Sequence, residues 1–307
     1  MKLVTYRKSV DRAASLGVIS GNLIIDVQAL GVSCGVTLPN TMLGLIDEGR
    51  PGLAALQKLL DDAGDVPPIG TSVDARNVKI LAPIPRPRKG VFGIGLNYVE
   101  HLAEAAKVNI VPKDLPTEPP LFIKPETCII GPGEAIHHDS SLTQQLDWEV
   151  ELAAIIGTNA RRVSKETAMD YVFGYSVMID VSARDNMRFK QWGFSKGMDT
   201  YGPFGPCIVT ADEIPDPHKL DLWLSVNGVE KQRGNTRDML FKIDHLIWDL
   251  SKYMTLEAGD IIATGTPAGV GVGREPQEFL KPGDRIDCGV ESVGTLSHPV
   301  IDITPQS

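Results

Sequence analysis

Glu149, Glu151 and Asp180 are acids set at the ends of apolar runs. The segment Leu146-Asp147-Trp148-Glu149-Val150-Glu151-Leu152-Ala153-Ala154-Ile155-Ile156-Gly157 reads as a strand, in which residues i and i+2 share a face. Glu149 and Glu151 then point one way, and Trp148, Val150 and Leu152 the other. Two carboxylates buried on one face repel each other and are costly to desolvate. Protonation, a cationic partner or a metal relieves that. Asp180 closes the run Tyr175-Ser176-Val177-Met178-Ile179. Three hard oxygen donors suit Mg²⁺ or Mn²⁺. A half-exposed strand with two solvated glutamates satisfies the same spacing.

His101 and Glu104 stand at i and i+3, adjacent on a helix surface. A carboxylate beside an imidazole orients it and raises its basicity, which makes a water-activating pair. An exposed charge pair on a helix has the same spacing. The remaining histidines have no ligand spacing. Arg184 and Lys196 follow Asp180. Beside a metal-bound 2-oxo acid, Arg184 could fork onto the substrate carboxylate and Lys196 could steady an enolate. Ordinary surface charges would look no different. The glycine-rich turn Thr264-Gly265-Thr266-Pro267-Ala268-Gly269-Val270-Gly271 could bring backbone donors and the Thr266 hydroxyl to a ligand, or serve as a plain loop.

The elements that must position these groups are short. Residues 1–78 read as a small α/β unit. It has strand candidates at Leu16–Ile19 and Leu23–Val27 about a Ser20-Gly21-Asn22 turn, and a helix carrying Leu53, Leu56, Leu59 and Leu60. Three prolines from Pro83 to Pro87 make an extended connector and place a boundary near residues 78–90. Residues 79–307 carry many short β-like runs broken by Gly and Pro, with a few helices, which predicts a mixed-sheet α+β domain.

Composition narrows the partners. The 307 residues carry 30 Lys+Arg against 39 Asp+Glu, a formal charge of −9, which argues against nucleic acid or an anionic membrane surface. No apolar run spans a bilayer, and the first residues lack a signal peptide's apolar core. The four cysteines are far apart with no CxxC, so reduced thiols in a cytoplasmic protein are expected. No phosphate-cradling GxxxxGK[ST] or GxGxxG opens a helix.

Several segments in order resemble the fumarylacetoacetate hydrolase family. They are Gly95-Leu96-Asn97-Tyr98 with His101 and Glu104, Phe122-Ile123-Lys124-Pro125, Ile130-Gly131-Pro132-Gly133, and Asp147 to Glu151. Asp180 with Ala183-Arg184-Asp185, Lys196 to Pro206, Gly234 to Met239, Thr264 to Gly271 and Lys281-Pro282-Gly283-Asp284 continue the series. The resemblance implies a mixed β-roll catalytic domain, residues 79–307, behind a small N-terminal domain, residues 1–78. It implies a divalent metal on Glu149, Glu151 and Asp180. It places His101 and Glu104 as the catalytic pair of a segment that closes over the site, with Lys196 catalytic. Arg184, Gly265 and Thr266 fall on substrate-contacting positions. Met187 stands where many members carry glutamine, a donor and acceptor replaced by a soft apolar group. The expected reaction is hydrolysis of a carbon–carbon bond in a 2,4-dioxo acid, an acylpyruvate or a fumarylacetoacetate-like compound. The competing reading is a 2-oxo acid lyase on the same scaffold, an oxaloacetate-type decarboxylase or a hydratase. A small anionic 2-oxo acid as substrate and a homodimer complete the expectation.

Overall fold

The computed structural model describes residues 1–9, 13–64, 66–107, 115–188 and 191–305. A large mixed sheet runs through it. From one edge its path is Ser72–Asp74, Leu23–Asp26, Ser15–Ser20, Lys2–Arg7, Gly202–Thr210, Val172–Ile179, Val150–Ile156, Ile261–Ala263, Val91–Ile94 and Leu121–Lys124. A five-stranded sheet, with Asp221–Val226 and Arg285–Val290 inside it, faces the large one. Most pairings are antiparallel, but Ile261–Ala263 runs parallel to Val91–Ile94. The mixed α+β architecture expected from sequence is the one observed.

The Val150–Ile156 strand is buried along its whole length. Its residues divide between two cores. Trp148, Val150, Leu152, Ala154 and Ile156 join a core shared with the five-stranded sheet and the helix Ile243–Tyr253. Ala153 and Ile155 join a second core, closed by Leu30, Leu45, Ile46 and Leu56 of the N-terminal helices. A strand covered on both sides reads as a continuous apolar run rather than an alternating one, which is the pattern after Glu151.

The N-terminal hairpin forms as expected, with Val18 opposite Ile25 and Ser20 opposite Leu23. Val27 does not extend the strand; it opens the helix Val27–Ser33, which Asp26 caps through the Ala29 N–H at 3.0 Å. The leucine-spaced helix spans Met42–Ala63 and breaks at Gly49. The change of character near residue 78 does not interrupt the sheet, because Lys2–Arg7 pairs with Gly202–Thr210 in the register Lys2 to Val209. Among the described residues no helix is long and apolar enough to cross a membrane.

Asp26 ties the N-terminal layers together. Its carboxylate accepts from the Tyr6 hydroxyl at 2.6 Å, the Ala29 N–H and the Lys8 ammonium at 3.1 Å. Burial pushes this carboxyl up, but the three donors outweigh it and hold it below its ordinary range. Its stabilisation is therefore complete at neutral pH and is lost as pH falls through that lowered value. Asp26→Ala removes a helix cap and orphans a buried hydroxyl. A loss of about 2–3 kcal/mol in urea unfolding at pH 7 is expected, shrinking as the pH is lowered.

Candidate metal centre and active site

The strand Val150–Ile156 pairs with Val172–Ile179, placing Val150 opposite Ile179. The two strands therefore end side by side, and the Asp180 N–H donates to the Glu149 carbonyl at 2.8 Å. That backbone contact brings Asp180 to the two glutamates. Oxygen atoms of Glu149, Glu151 and Asp180 all lie within 4.8 Å of one another, and all three residues are buried. Solvated glutamates on a half-exposed strand are thereby ruled out.

Charge inside a dry site needs partners. Lys196, from the short helix Gly193–Lys196, donates to Glu149 at 2.8 Å, to Asp180 and to the Ser182 hydroxyl at 2.8 Å. Lys124, fully buried at the sheet edge, donates to the other Asp180 oxygen at 2.5 Å and to the Lys196 carbonyl. Arg184 closes its fork on Asp147 at 2.8 Å and Glu149 at 2.6 Å. Burial pushes the Glu149 carboxyl up, but Lys196, Arg184 and His101 hold it well below the carboxylate range. Glu151 is pushed the other way, by burial first and then by Asp180 and Glu149. Its partner among the described residues is the Gly265 N–H at 2.8 Å. Three hard oxygen donors, one of them so weakly compensated, fit a divalent cation.

The glycine-rich turn runs beside the strand that carries the glutamates. The Thr264 hydroxyl donates to the Leu152 carbonyl and the Thr266 hydroxyl to the Val150 carbonyl, each at 2.8 Å. Gly265, at φ +95, leaves room for nothing larger: a Cβ there would stand 2.6 Å from the Asn97 Cβ. Asn97 is itself fully buried, donating to the Phe241 and Thr264 carbonyls and accepting from the Phe241 N–H. It pins the base of the helix Val99–Lys107, which carries His101 and Glu104.

His101 is buried, and its Nδ1 has no partner among the described residues. Glu104 stands 3.9 Å away, beyond hydrogen-bond range. Its carboxylate instead accepts from the Gly269 N–H, at 2.9 and 3.1 Å to its two oxygens. The structure thus brings all the expected site residues to one place but gives some of them different partners. Arg184 grips Asp147 and Glu149, and the Thr266 hydroxyl is bonded to protein on both sides, accepting from Gln232 at 2.8 Å. His101, Arg184, Met187, Lys196 and Thr266 line a cavity of about 30 Å³. Its apolar wall includes Leu96, Trp192 and Val272. That is room for about one water.

Three further residues build the site without any role that residue spacing assigns them: Asp147, Lys124 and Gln232. Asp147 shares the odd-number parity of Glu149 and Glu151, a D-x-E-x-E pattern that carried the signal. Lys124 alternates with exposed Leu121 and Ile123 on an edge strand, so its inward direction follows from the strand's period of two. Gln232, whose Oε1 accepts from the Val150 N–H at 3.0 Å, had no local signal.

Comparison with known proteins places this centre in context. Residues 90–301 match the family described as fumarylacetoacetate (FAA) hydrolase C-terminal. The chain is 41% identical over 267 residues to the oxaloacetate tautomerase YisK of Bacillus subtilis (strain 168), covering 86% of this chain and 87% of that one. It is 39% identical over 306 residues to the mitochondrial oxaloacetate tautomerase fahd2 of Xenopus laevis, covering 98% and 90%. A maleylpyruvate hydrolase from Sphingobium sp. SYK-6, solved with manganese(II) and pyruvate, superposes with a TM-score of 0.76 at 31% identity, covering 98% and 99%.

Glu151→Gln tests the centre. It keeps the acceptor for Gly265 and removes a charge that burial and two like charges disfavour. The chelator-stripped variant is expected to melt about 2–4 °C higher, roughly 1 kcal/mol. It is also expected to bind Mn²⁺ at least about 100-fold more weakly in an EPR titration, since losing a ligand costs no less than losing a group that supports one.

Proposed function

Because the chain belongs to the fumarylacetoacetate hydrolase family, we propose that it interconverts the enol and keto forms of a 2-oxo acid of the oxaloacetate type. The observation that carries this reading is that the His101 Nδ1, among the described residues, has no hydrogen bond to Glu104, which stands 3.9 Å away. Moving a proton between carbon and oxygen needs one group that gives and takes it. Making hydroxide from water for carbon–carbon cleavage was expected of an imidazole–carboxylate pair, and here Glu104 is turned onto the Gly269 amide. The names of the two relatives that span most of this chain support the same reading, and the oxaloacetate-type alternative fits them better than the hydrolytic expectation.

Glu149, Glu151 and Asp180 would hold the ion, Mg²⁺ or Mn²⁺. When bound it supplies a Lewis acid that polarises the 2-oxo group and lowers the barrier to enolisation. Four buried carboxylates, those three with Asp147, face three buried cations, Lys124, Lys196 and Arg184. One net negative charge remains, and a divalent ion reverses it to one net positive. That balance favours a small anionic substrate.

His101 would take the proton from the carbon next to the carbonyl and deliver that same proton to the carbonyl oxygen to give the enol, ending as it began. The reverse direction returns it. Lys196 lines the cavity beside this chemistry. Burial works against its charge, but Asp180 and Glu149 outweigh burial and raise its pKa. It therefore stays a cation where negative charge develops on oxygen. Arg184 acts through Glu149 rather than on the substrate. Leu96, Met187, Trp192 and Val272 exclude water, which keeps the enol from uncontrolled proton exchange. With space for one water, the cavity admits substrate only when a wall moves. The helix Val99–Lys107, held by the Glu104–Gly269 contact, is the wall that brings His101 with it.

The test follows the loss of enol absorbance of freshly dissolved oxaloacetate, with the same metal alone as control. Acceleration that disappears on chelation, with no pyruvate or CO₂ released, is the expected result. His101→Ala is expected to lower the rate by about 10²–10⁴-fold and leave Mn²⁺ binding unchanged. Cleavage of acylpyruvates without any effect on oxaloacetate tautomerisation would overturn the reading in favour of hydrolysis.

A further inference from the structure

Asp147 has no place in the proton transfer, yet no side chain in the site joins more parts of it. It ends the two-residue strand Leu146–Asp147, which pairs with Ser182–Ala183 away from the main sheet. It is fully buried. Its Oδ1 accepts from the Trp148 N–H at 2.7 Å and the Gly271 N–H at 2.6 Å. Its Oδ2 accepts from Arg184 Nε at 2.8 Å and the Val272 N–H at 3.0 Å. Gly271 has to be glycine for this approach, because a Cβ there would stand 2.7 Å from Oδ1.

Both sides of the carboxylate lead to working groups. The Arg184 guanidinium it orients makes the 2.6 Å contact to Glu149. The 269–272 turn it holds offers the Gly269 amide to Glu104, and the Trp148 indole fixes the same glycine through its carbonyl at 3.1 Å. Trp148 follows Asp147 directly, so one dipeptide grips the turn at two points.

We infer that Asp147 is a positioning residue that sets Glu149 for its ion through Arg184 and fixes the turn on which the His101 helix docks. The inference rests on the metal-dependent reading of this site. Its order is serial: Asp147 acts on Glu149 only by way of Arg184. Removing either link should therefore cause the same loss, and removing both should add nothing.

The experiment measures Mn²⁺ affinity by EPR titration in the wild type, Asp147→Asn, Arg184→Gln and the double variant, with circular dichroism to verify folding. Each single variant is expected to bind about 10–100-fold more weakly, and the double variant within about threefold of the weaker single one. Oxaloacetate tautomerisation, assayed in parallel, should fall in Asp147→Asn through kcat more than KM, because the docking turn shifts as well. Wild-type affinity in Asp147→Asn, or losses that multiply in the double variant, would overturn the inference. A single variant left with an unpaired buried charge can fail to fold. The double variant, stripped of both charges, then carries the test by binding 10–100-fold more weakly than wild type. Failure of both to fold also overturns the inference, since Asp147 would then hold the fold and not the site. A wild type that binds Mn²⁺ but leaves oxaloacetate untouched defeats the proposed activity while the affinity series still decides the role of Asp147.

Discussion

Four buried carboxylates are the constraint around which the rest of this protein is arranged. Desolvating one such group without a partner costs several kcal/mol, so the fold has to deliver cations and amides to the same small volume. They come from separate places: Lys124 from an edge strand, Arg184 from the 3-10 turn that follows Ser182–Ala183, Lys196 from the short helix Gly193–Lys196, and the Gly265, Gly271 and Val272 amides from one glycine-rich loop. No local stretch could assemble this set. The pairing of Val150–Ile156 with Val172–Ile179, and of Leu146–Asp147 with Ser182–Ala183, does it.

Glu151 is the group this arrangement serves least well. A carboxylate pushed up by two neighbours and matched by one amide lowers the stability of the metal-free chain. Such stored unfavourable energy is what a functional centre tends to keep and a purely structural one to lose. The proposed ligand role and the thermodynamic defect belong to the same side chain.

Much of this was legible in the sequence, for physical reasons that differ by residue. A strand's period of two put Glu149 and Glu151 together, and the apolar run behind them foretold their burial. The i, i+3 spacing of His101 and Glu104 put both on one helix. What spacing could not convey was which partner each group would choose. Glu104 has two donors within plausible reach, His101 and the Gly269 amide, and tertiary packing of a loop 165 residues away decides for the amide. Arg184 likewise reads as a fork for a substrate carboxylate, and in the fold that fork is filled by two protein carboxylates. Gln232 bonds the Val150 backbone across 82 residues of chain, a contact that no local pattern announces. The chemistry was read from residue types; the choice between carbon–carbon hydrolysis and an oxaloacetate-type reaction on the same scaffold depends on partners, which spacing does not supply.

The strand Lys2–Arg7 has a bearing on how this chain can be handled. It pairs with Ile208 and Val209 at one end of the buried strand Gly202–Thr210, whose Gly202 and Pro203 pair instead with Ile129–Ile130, while Val172–Ile179 lies on the other side. The stretch that matches the family, 90–301, leaves that strand out. A fragment trimmed to those limits would leave the backbone at Ile208 and Val209 without its strand partner, a short apolar edge of the kind that recruits strands from neighbouring molecules. A shortened version of the chain that keeps Lys2–Arg7 also keeps that edge paired.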